Sequence, residues 1–467
     1  MAERTAKSRP SRAKIKAEYD AAKFTRRTST WYAPSTGPNR EIGRDVRTLR
    51  DRHRDLNRNN PWAQRAITAI VNNTVGTGIH AQWQDEARQE RWRHWFESTE
   101  CDADGRHDGY GLQALAVRAM VESGACLIRR RPRRPSDGLT VPLQIQLMEP
   151  DLIDMTKTEQ LPGGGFITQG MEFNAWGQWV AIWLHPVHPG DNIHGDAVES
   201  TRHSSRDFKC LYRTDRPGQI HGVPWGAGAI TRLKMLDDYQ DAQLERARIS
   251  ACFAGFIRDI DAMGSDVNVS SLPDKLEPGI LEFLPPGKTI EFASPPQPEN
   301  DKEFRLGVLQ AVGAAYGVPY ETLTGDLSEV NFSSARIGWN EFARSIETWR
   351  WHLLAPQMLD PVAQWFLEAE SAINIAPPEP LPLWTAPART MVDPARETRP
   401  LIDAMRAGLM SLPEAIRKMG YDPIVLIHEH AAFLELMDSL GVAFDSDGRH
   451  GRHGLRTQSE ERINEAD

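Results

Sequence analysis

Lysine, histidine, serine and cysteine side chains do chemistry only where their spacing lets them converge, and several stretches of this chain come near that condition. Pro285 to Thr289 read PPGKT, but a phosphate-cradling GxxxxGK[ST] loop needs glycine where Glu282 stands, so a hairpin turn is expected there. His185 and His188 flank Pro186, and His428 and His430 surround Glu429. Neither pair has the i, i+4 spacing that sets two imidazoles on one helix face for a metal. No GxSxG elbow surrounds Ser333 or Ser334, whose expected duty is helix capping. Cys101, Cys126, Cys210 and Cys252 lie far apart without CxxC spacing, which fits buried small apolar residues in a reducing compartment. Of the fourteen tryptophans, Trp83, Trp92, Trp95, Trp176, Trp179 and Trp183 could stack bases, yet their spacing suits core burial. No catalytic template is met and no cofactor or metal site is expected, which moves weight from enzyme toward structural or assembly protein.

Chemistry of the assembly kind depends on charge and shape. At 467 residues the chain exceeds what one core holds, so more than one structural region is expected. With 40% hydrophobic and 25% charged residues it reads as a soluble folded protein, and 32 Pro with 35 Gly imply many turns. No apolar run approaches the ~20 residues that cross a bilayer, and Met1 to Arg27 lack the apolar stretch of a secretory signal. Residues 1–60 hold sixteen Lys/Arg against seven Asp/Glu, a balance of +9, which leaves −18 for the rest of a chain whose net charge is −9. An acidic body suits letting DNA pass better than wrapping it.

Along the chain, the first forty residues read as a flexible basic arm interrupted by Pro34 and Pro38. Helices are expected from near Ile42 and from Pro61 to Val71, then two more between Arg91 and Ile128. Strands are expected at Leu139–Leu147, Gly165–Phe173, Gln178–Leu184 and Lys209–Arg213, making residues 40–225 an α+β domain. Ala229 to Ala254 contain neither Gly nor Pro, and an unbroken helix there would be about 39 Å long. Its charges, Arg232, Lys234, Asp237, Asp238, Asp241, Glu245, Arg246 and Arg248, fall on both sides, which suits packing against similar copies. Residues 258–300 are Pro-rich, with a hairpin expected between Ile280–Leu284 and Thr289–Phe292. A helix capped by Asn300 or Asp301 runs to about Tyr316 and stops at Gly317 and Pro319. The stretch Val318–Phe332 then reads as a loop carrying Glu321, Asp326 and Glu329. A helix from near Ser334, bent or ended by Pro356 and Pro361, a Pro-rich link at Ala376–Pro387, helices over Asp393–Leu440 and a polar tail complete the chain.

This order of elements resembles the portal fold of tailed phages. Five stretches look like its lambda-type branch: LRDRHRDLNRNNPWAQRAI with VGTGI (Leu49–Ile79), PGQIHGVPW (Pro217–Trp225), LDDYQDAQLERARISACF (Leu236–Phe253), AAYGVPYETLTGDLSEVNFSSAR (Ala314–Arg336) and VDPARE (Val392–Glu397). The chain departs from the family pattern at Gly226 and Gly228, which stand in place of bulkier residues.

The resemblance implies an α+β, mainly helical portal subunit and divides the chain accordingly. Residues 1–40 would be the arm, 41–228 the wing, 229–257 the first stem helix and 258–300 the clip. Then come the second stem helix (301–317), the tunnel loop (318–333), the channel helix with a return to the wing (334–392), a crown-like region (393–444) and a disordered tail (445–467). It further implies a ring, usually of twelve copies, at one capsid vertex of the virion, assembled in the host cytoplasm, with double-stranded DNA in the channel and no membrane. The stem charges would pair between subunits. The large terminase and later the head-tail adaptor would meet the clip surface of Asp274, Lys275, Glu277 and Lys288, and the major capsid protein would surround the ring. Glu321, Asp326 and Glu329, repeated around the bore, would repel the duplex toward the axis, with Arg336 and Arg305 supplying the few positive contacts. The competing expectations are a capsid assembly or adaptor protein without a DNA channel and, more remotely, a metal-dependent hydrolase using His185, His188 or the His428/Glu429/His430 group.

Overall fold

The computed structural model describes residues 19–191, 199–251, 255–259, 288–292, 301–328, 332–373, 380–388, 394–442 and 444. Helix α1 (Pro38–Asn59) starts four residues before the expected Ile42, because Pro38 at its first position has no amide to lose. Asn60 ends α1 with its amide on Leu56 and opens α2 (Pro61–Thr74), where its side-chain oxygen accepts from the amides of Trp62 and Ala63 at 3.0 Å. Ala63, Ala66, Ile67, Ile70 and Val71, at helical spacing, bury one face of α2. A short strand, β1 (His80–Gln82), leads to α3 (Glu86–Phe96) and α4 (Gly109–Ser123), the latter capped by Asp108 and closed by the left-handed Gly124.

Strand β2 (Ala125–Pro132) lies between β3 (Leu143–Met148) and β9 (Phe208–Tyr212) in an antiparallel three-stranded sheet. Between them in sequence, β4 (Glu159–Gln160), β5 (Phe166–Thr168), β6 (Met171–Phe173), β7 (Trp179–Leu184) and β8 (Thr201–Ser204) form an antiparallel five-stranded meander. Alternation along β2 divides two cores: Ile128 joins the main one with the helices, and Leu127 joins a smaller one with Ile153, Met171, Ile182, Leu184 and Phe208. Of the expected strands, Gln178–Leu184 and Leu139–Leu147 appear as β7 and β3 with later starts, Lys209–Arg213 appears as β9 shifted by one residue, and Gly165–Phe173 is split by a turn at Gln169–Gly170 into the hairpin β5–β6. Trp83, Trp92 and Trp95 are buried, clustered with Phe366, whereas Trp179 and Trp183 are half-buried and Trp176, at the β6–β7 turn, is 90% exposed.

Helix α5 (Ile230–Ala251) realises the long Gly- and Pro-free stretch. Strands β10 (Gly255–Asp259) and β11 (Lys288–Phe292) pair with each other. The observed partner of β11 is therefore Gly255–Asp259, while Ile280–Leu284, its expected partner, lies outside the described residues. Helix α6 (Asp301–Tyr316) stops at Gly317, as expected. The stretch after it departs from the expected loop: α7 (Tyr320–Thr324) forms because Val318 and Leu323 both enter the main core and draw the chain between them into a turn of helix. Helix α8 (Phe332–Trp349), a π-helical stretch (Arg350–Leu359) and α9 (Asp360–Ile373) follow one another without a break. Pro356 and Pro361 do not end this rod. The π-helical pattern, with Asp360 donating to the carbonyl of Ala355, re-routes the bonds that a proline removes. Strand β12 (Leu383–Thr385) returns to pair with β1, and α10 (Pro394–Arg406), α11 (Leu412–Lys418) and α12 (Pro423–Leu440) complete the described chain. No helix among the described residues is long and apolar enough to cross a membrane.

The two departures at Gly226 and Gly228 separate cleanly. The carbonyl of Gly226 accepts from Ala229 and Ile230 and so starts α5. A Cβ at Gly226 would stand 2.2 Å from the Tyr316 hydroxyl and 2.4 Å from His53 Nε2, whereas one at Gly228 would meet only the Ala315 Cβ at 3.9 Å. Gly226→Ala is expected to cost about 1–3 kcal/mol by overpacking and Gly228→Ala close to nothing, a contrast that thermal unfolding of the two variants checks.

Candidate functional site

The candidate side chains gather where α5, α6, α7 and α8 leave the main core. Leu233 and Leu236 bury the start of α5, and Leu309, Val312 and Tyr316 bury the end of α6. The far halves of both helices emerge, with Leu244 and Phe304 exposed, and are tied to each other where the Tyr239 hydroxyl donates to Asp301 at 2.5 Å. At the base, His53 on α1 donates from Nδ1 to the Glu122 carbonyl at 2.7 Å and accepts at Nε2 from the Tyr316 hydroxyl at 2.6 Å. Burial pushes the His53 pKa down and the Tyr316 pKa up, so both stay neutral. This latch joins α1, α4 and α6. Sequence reading missed it because its members lie 263 residues apart.

Most of the α5 charges expected to pair between subunits are committed within the chain. Asp237 accepts from the Asn60 side-chain amide at 2.7 Å, which fastens α5 to the α1–α2 junction. Lys234 pairs with Asp238 at 2.9 Å and Arg248 with Glu245 at 3.0 Å, each along the same helix. Among the described residues Arg232, Asp241 and Arg246 form no ion pair. Of the residues expected to form a clip surface, Asp274, Lys275 and Glu277 lie outside the described residues, and Lys288 opens β11 opposite Asp259.

Of the three acids, Glu321 stands half-buried in the first turn of α7, whose end is held by Arg65 donating to the Thr322 carbonyl at 3.2 Å. Gly325, at φ +72, closes that helix and turns the chain toward Asp326. The carboxylate of Asp326 accepts from the Ser328 amide at 3.0 Å and the Ser328 hydroxyl at 2.6 Å, bonds that hold its pKa below the usual carboxylate range. It therefore carries full charge at neutral pH. Glu329 lies outside the described residues. Arg336 falls in α8, and Arg305 pairs with Asp301 one turn earlier on α6 at 3.0 Å.

The fold does not bring His185, His188 and the His428/Glu429/His430 group together into one site. His188 stands near Glu149 and Asp151, whose ligand atoms lie within 4.8 Å of one another. Asp151, however, already receives Arg50 at 3.1 Å and Arg54 at 2.7 Å, and two guanidiniums occupy the charge a cation would need. His185 faces a different carboxylate, Asp154, at 3.8 Å. His428, Glu429 and His430 are exposed on α12, and no further ligand group among the described residues joins them. The thiols of Cys101 and Cys210 are pushed up to about 12 by burial, which makes them inert as nucleophiles. Cys252 lies outside the described residues.

Residues 24–350 match the family model described as phage portal protein, lambda family. The chain is 24% identical over 463 residues to a probable portal protein of Halomonas phage phiHAP-1, covering 91% of this chain and 87% of that one. It is 23% identical over 253 residues to the portal protein of Escherichia phage N15, covering 46% and 48%. Similar solved chains come from the virion of a native gene transfer agent particle (15% identity, TM-score 0.49, 85% of this chain and 98% of that chain) and from the neck of a native gene transfer agent particle computed with C12 symmetry (15%, 0.48, 84% and 96%).

Proposed function

The chain belongs to the lambda family of phage portal proteins, and on that premise we propose that copies of it close into a ring, of twelve subunits, at one capsid vertex, through which terminase packs the genome and from which the genome is ejected. The observation that carries this reading is the helix pair α5–α6, buried only at its base and exposed, with apolar side chains, beyond Leu236. A lone subunit has no use for such a projection, whereas a ring buries it against neighbours. In that assembly residues 41–228 form the wing, 229–257 and 301–317 the stem, 258–300 the clip that meets terminase and the head-tail adaptor, 318–333 the tunnel loop, 334–392 the channel helix and 393–444 the crown. Arg232, Asp241 and Arg246, which form no ion pair among the described residues, are the stem charges left to pair across subunits.

Glu321, Asp326 and Glu329 face the duplex and repel it toward the axis, which keeps sliding easy; Arg336 and Arg305 position it. The intact chain should give rings with a central hole by negative stain and a native mass of the oligomer. Neutralising the acids together (Glu321→Gln, Asp326→Asn, Glu329→Gln) should leave the rings assembled and slow DNA translocation several-fold in a packaging assay. Unchanged packaging by the triple variant sinks the repulsion mechanism. A purified chain that stays monomeric even in assembled particles sinks the channel and favours an adaptor role.

A further inference from the structure

Residues 129–134 read RRRPRR, five arginines in six positions, inside a body whose net charge is −18 after the first 60 residues. Strand alternation splits them. Arg130 points with Ile128 toward the helical layer and is ion-paired with Glu368 on α9. Arg129 and Arg131 continue the opposite face, the one Leu127 buries in the smaller core, past the edge of that core. There Arg129 lies over the Phe208 ring at 5.4 Å, and Arg133 is steadied by Gln144 at 2.7 Å. A recess lined by Arg129, Arg130, Arg131 and Arg133, with His203 beside them, holds a single carboxylate, Asp207. Packing like charges this closely is unfavourable without an anion to share; the pKa of Arg129 is lowered first by burial and then by the neighbouring charge of Arg131.

We infer that the Arg129/Arg131/Arg133 stripe, along β2 and one residue past its end, is a binding site for the phosphodiester backbone of duplex DNA, separate from the channel segment. Arginine forks match phosphate oxygens bidentately, and every cation in the run is arginine rather than lysine. A protein partner would need an apolar anchor inside a polar rim, yet no large apolar side chain of β2, β8 or β9 is exposed. A site that contacts backbone phosphates alone reads no sequence and releases counterions, so its affinity falls steeply with salt. The choice of DNA as the polyanion rests on the portal reading; the stripe itself does not.

The test is duplex binding by the full-length chain, measured by fluorescence anisotropy with a labelled random-sequence duplex over a salt series. R129Q/R131Q/R133Q should bind at least about tenfold more weakly at low salt, with a log–log salt slope shallower by about 2 to 3. R131Q/R133Q, which spares the Arg129 packing on Phe208, should show an intermediate loss and covers the case in which the triple variant fails to fold. Wild-type affinity and slope in both variants overturn the inference, as does an acidic polypeptide that displaces the duplex from the stripe at lower charge concentration than competing DNA. Ring formation is scored separately by negative stain. Rings without stripe-dependent binding leave the channel reading standing alone, and stripe-dependent binding by a chain that forms no rings does the reverse.

Discussion

Replacing Glu370 with alanine is expected to remove about 3–5 kcal/mol of folding stability, read as a large fall in the denaturation midpoint. Glu370 is 2% exposed on α9 and accepts from Arg88 at 2.6 Å and from Arg91 Nε at 2.7 Å, both on α3. Arg88 is equally buried, so deleting the carboxylate takes away the charge paired with a guanidinium in the interior, where its desolvation is costly. Arg91 is partly exposed and can turn to water. Glu370→Gln, which keeps an acceptor but no charge, should cost less. R88M/E370L should recover much of the loss, because an apolar pair of similar volume removes the stranded charge along with its partner. A deficit below about 1 kcal/mol for the alanine variant would show that water reaches Arg88.

The position of this clamp gives it consequences beyond α3. Helices α8 and α9 with the π-helical stretch form one rod. Its middle is held by Arg350, which donates to the carbonyls of Thr74 at 2.7 Å and Asn73 at 2.9 Å and so caps the end of α2. Glu370 holds the far end. With both anchors in place, a displacement at the start of α8, beside the segment proposed as the tunnel loop, is resisted along the rod instead of being absorbed by a hinge at Pro356. The two prolines that suggest a break in the sequence are thus tolerated inside an element fixed by charged side chains on either side of them.

What the sequence made legible follows from range. Local signals sufficed for α5, which lacks Gly and Pro, for the stop of α6 at Gly317, and for the Asn60–Pro61 junction between α1 and α2. Helix α7 was hidden because five residues have no periodicity to show and become helical only when Val318 and Leu323 find the core. The β1–β12 pair, His80 opposite Thr385, joins strands too short to announce themselves. Strand β2 was masked by its own arginines, which break the apolar alternation at the point where the strand leaves the core; the same run was overlooked as a basic surface because net charge averages it away. Among the candidate site residues, the acidity of Glu321 and Asp326 is plain from their types, but the Ser328 bonds that secure the charge of Asp326 are a matter of turn geometry.

Acidification should destabilise the fold in two separate steps, and the first belongs to His221. Its Nε2–H donates to the Gln169 carbonyl at 3.0 Å, at the β5–β6 turn where Gln169 holds a φ of +50, and its own carbonyl accepts from Gln219. Burial, helped by the nearby charge of Arg50, brings its pKa down to about 4. In the unfolded chain the value is about 6.5, so between those two pH values the unfolded state binds a proton that the folded state refuses, and stability falls as pH falls. Over the full window the loss is about 3 kcal/mol. His53 adds in the same direction, since a proton on Nε2 would turn the acceptor of the Tyr316 hydroxyl into a second donor. The second step, below the ordinary carboxylate range, belongs to Asp151, Asp154 and Glu172, whose folded pKa values are depressed by their arginine and hydroxyl partners. Denaturation midpoints at pH 8, 6 and 4.5 follow the first step, and a further midpoint at about pH 3 reads the second. His221→Gln, which keeps a donor for Gln169 but does not titrate, should flatten the first step while leaving the second; an unaltered slope between pH 6.5 and 4 would mean that the folded protein already accepts the proton at His221.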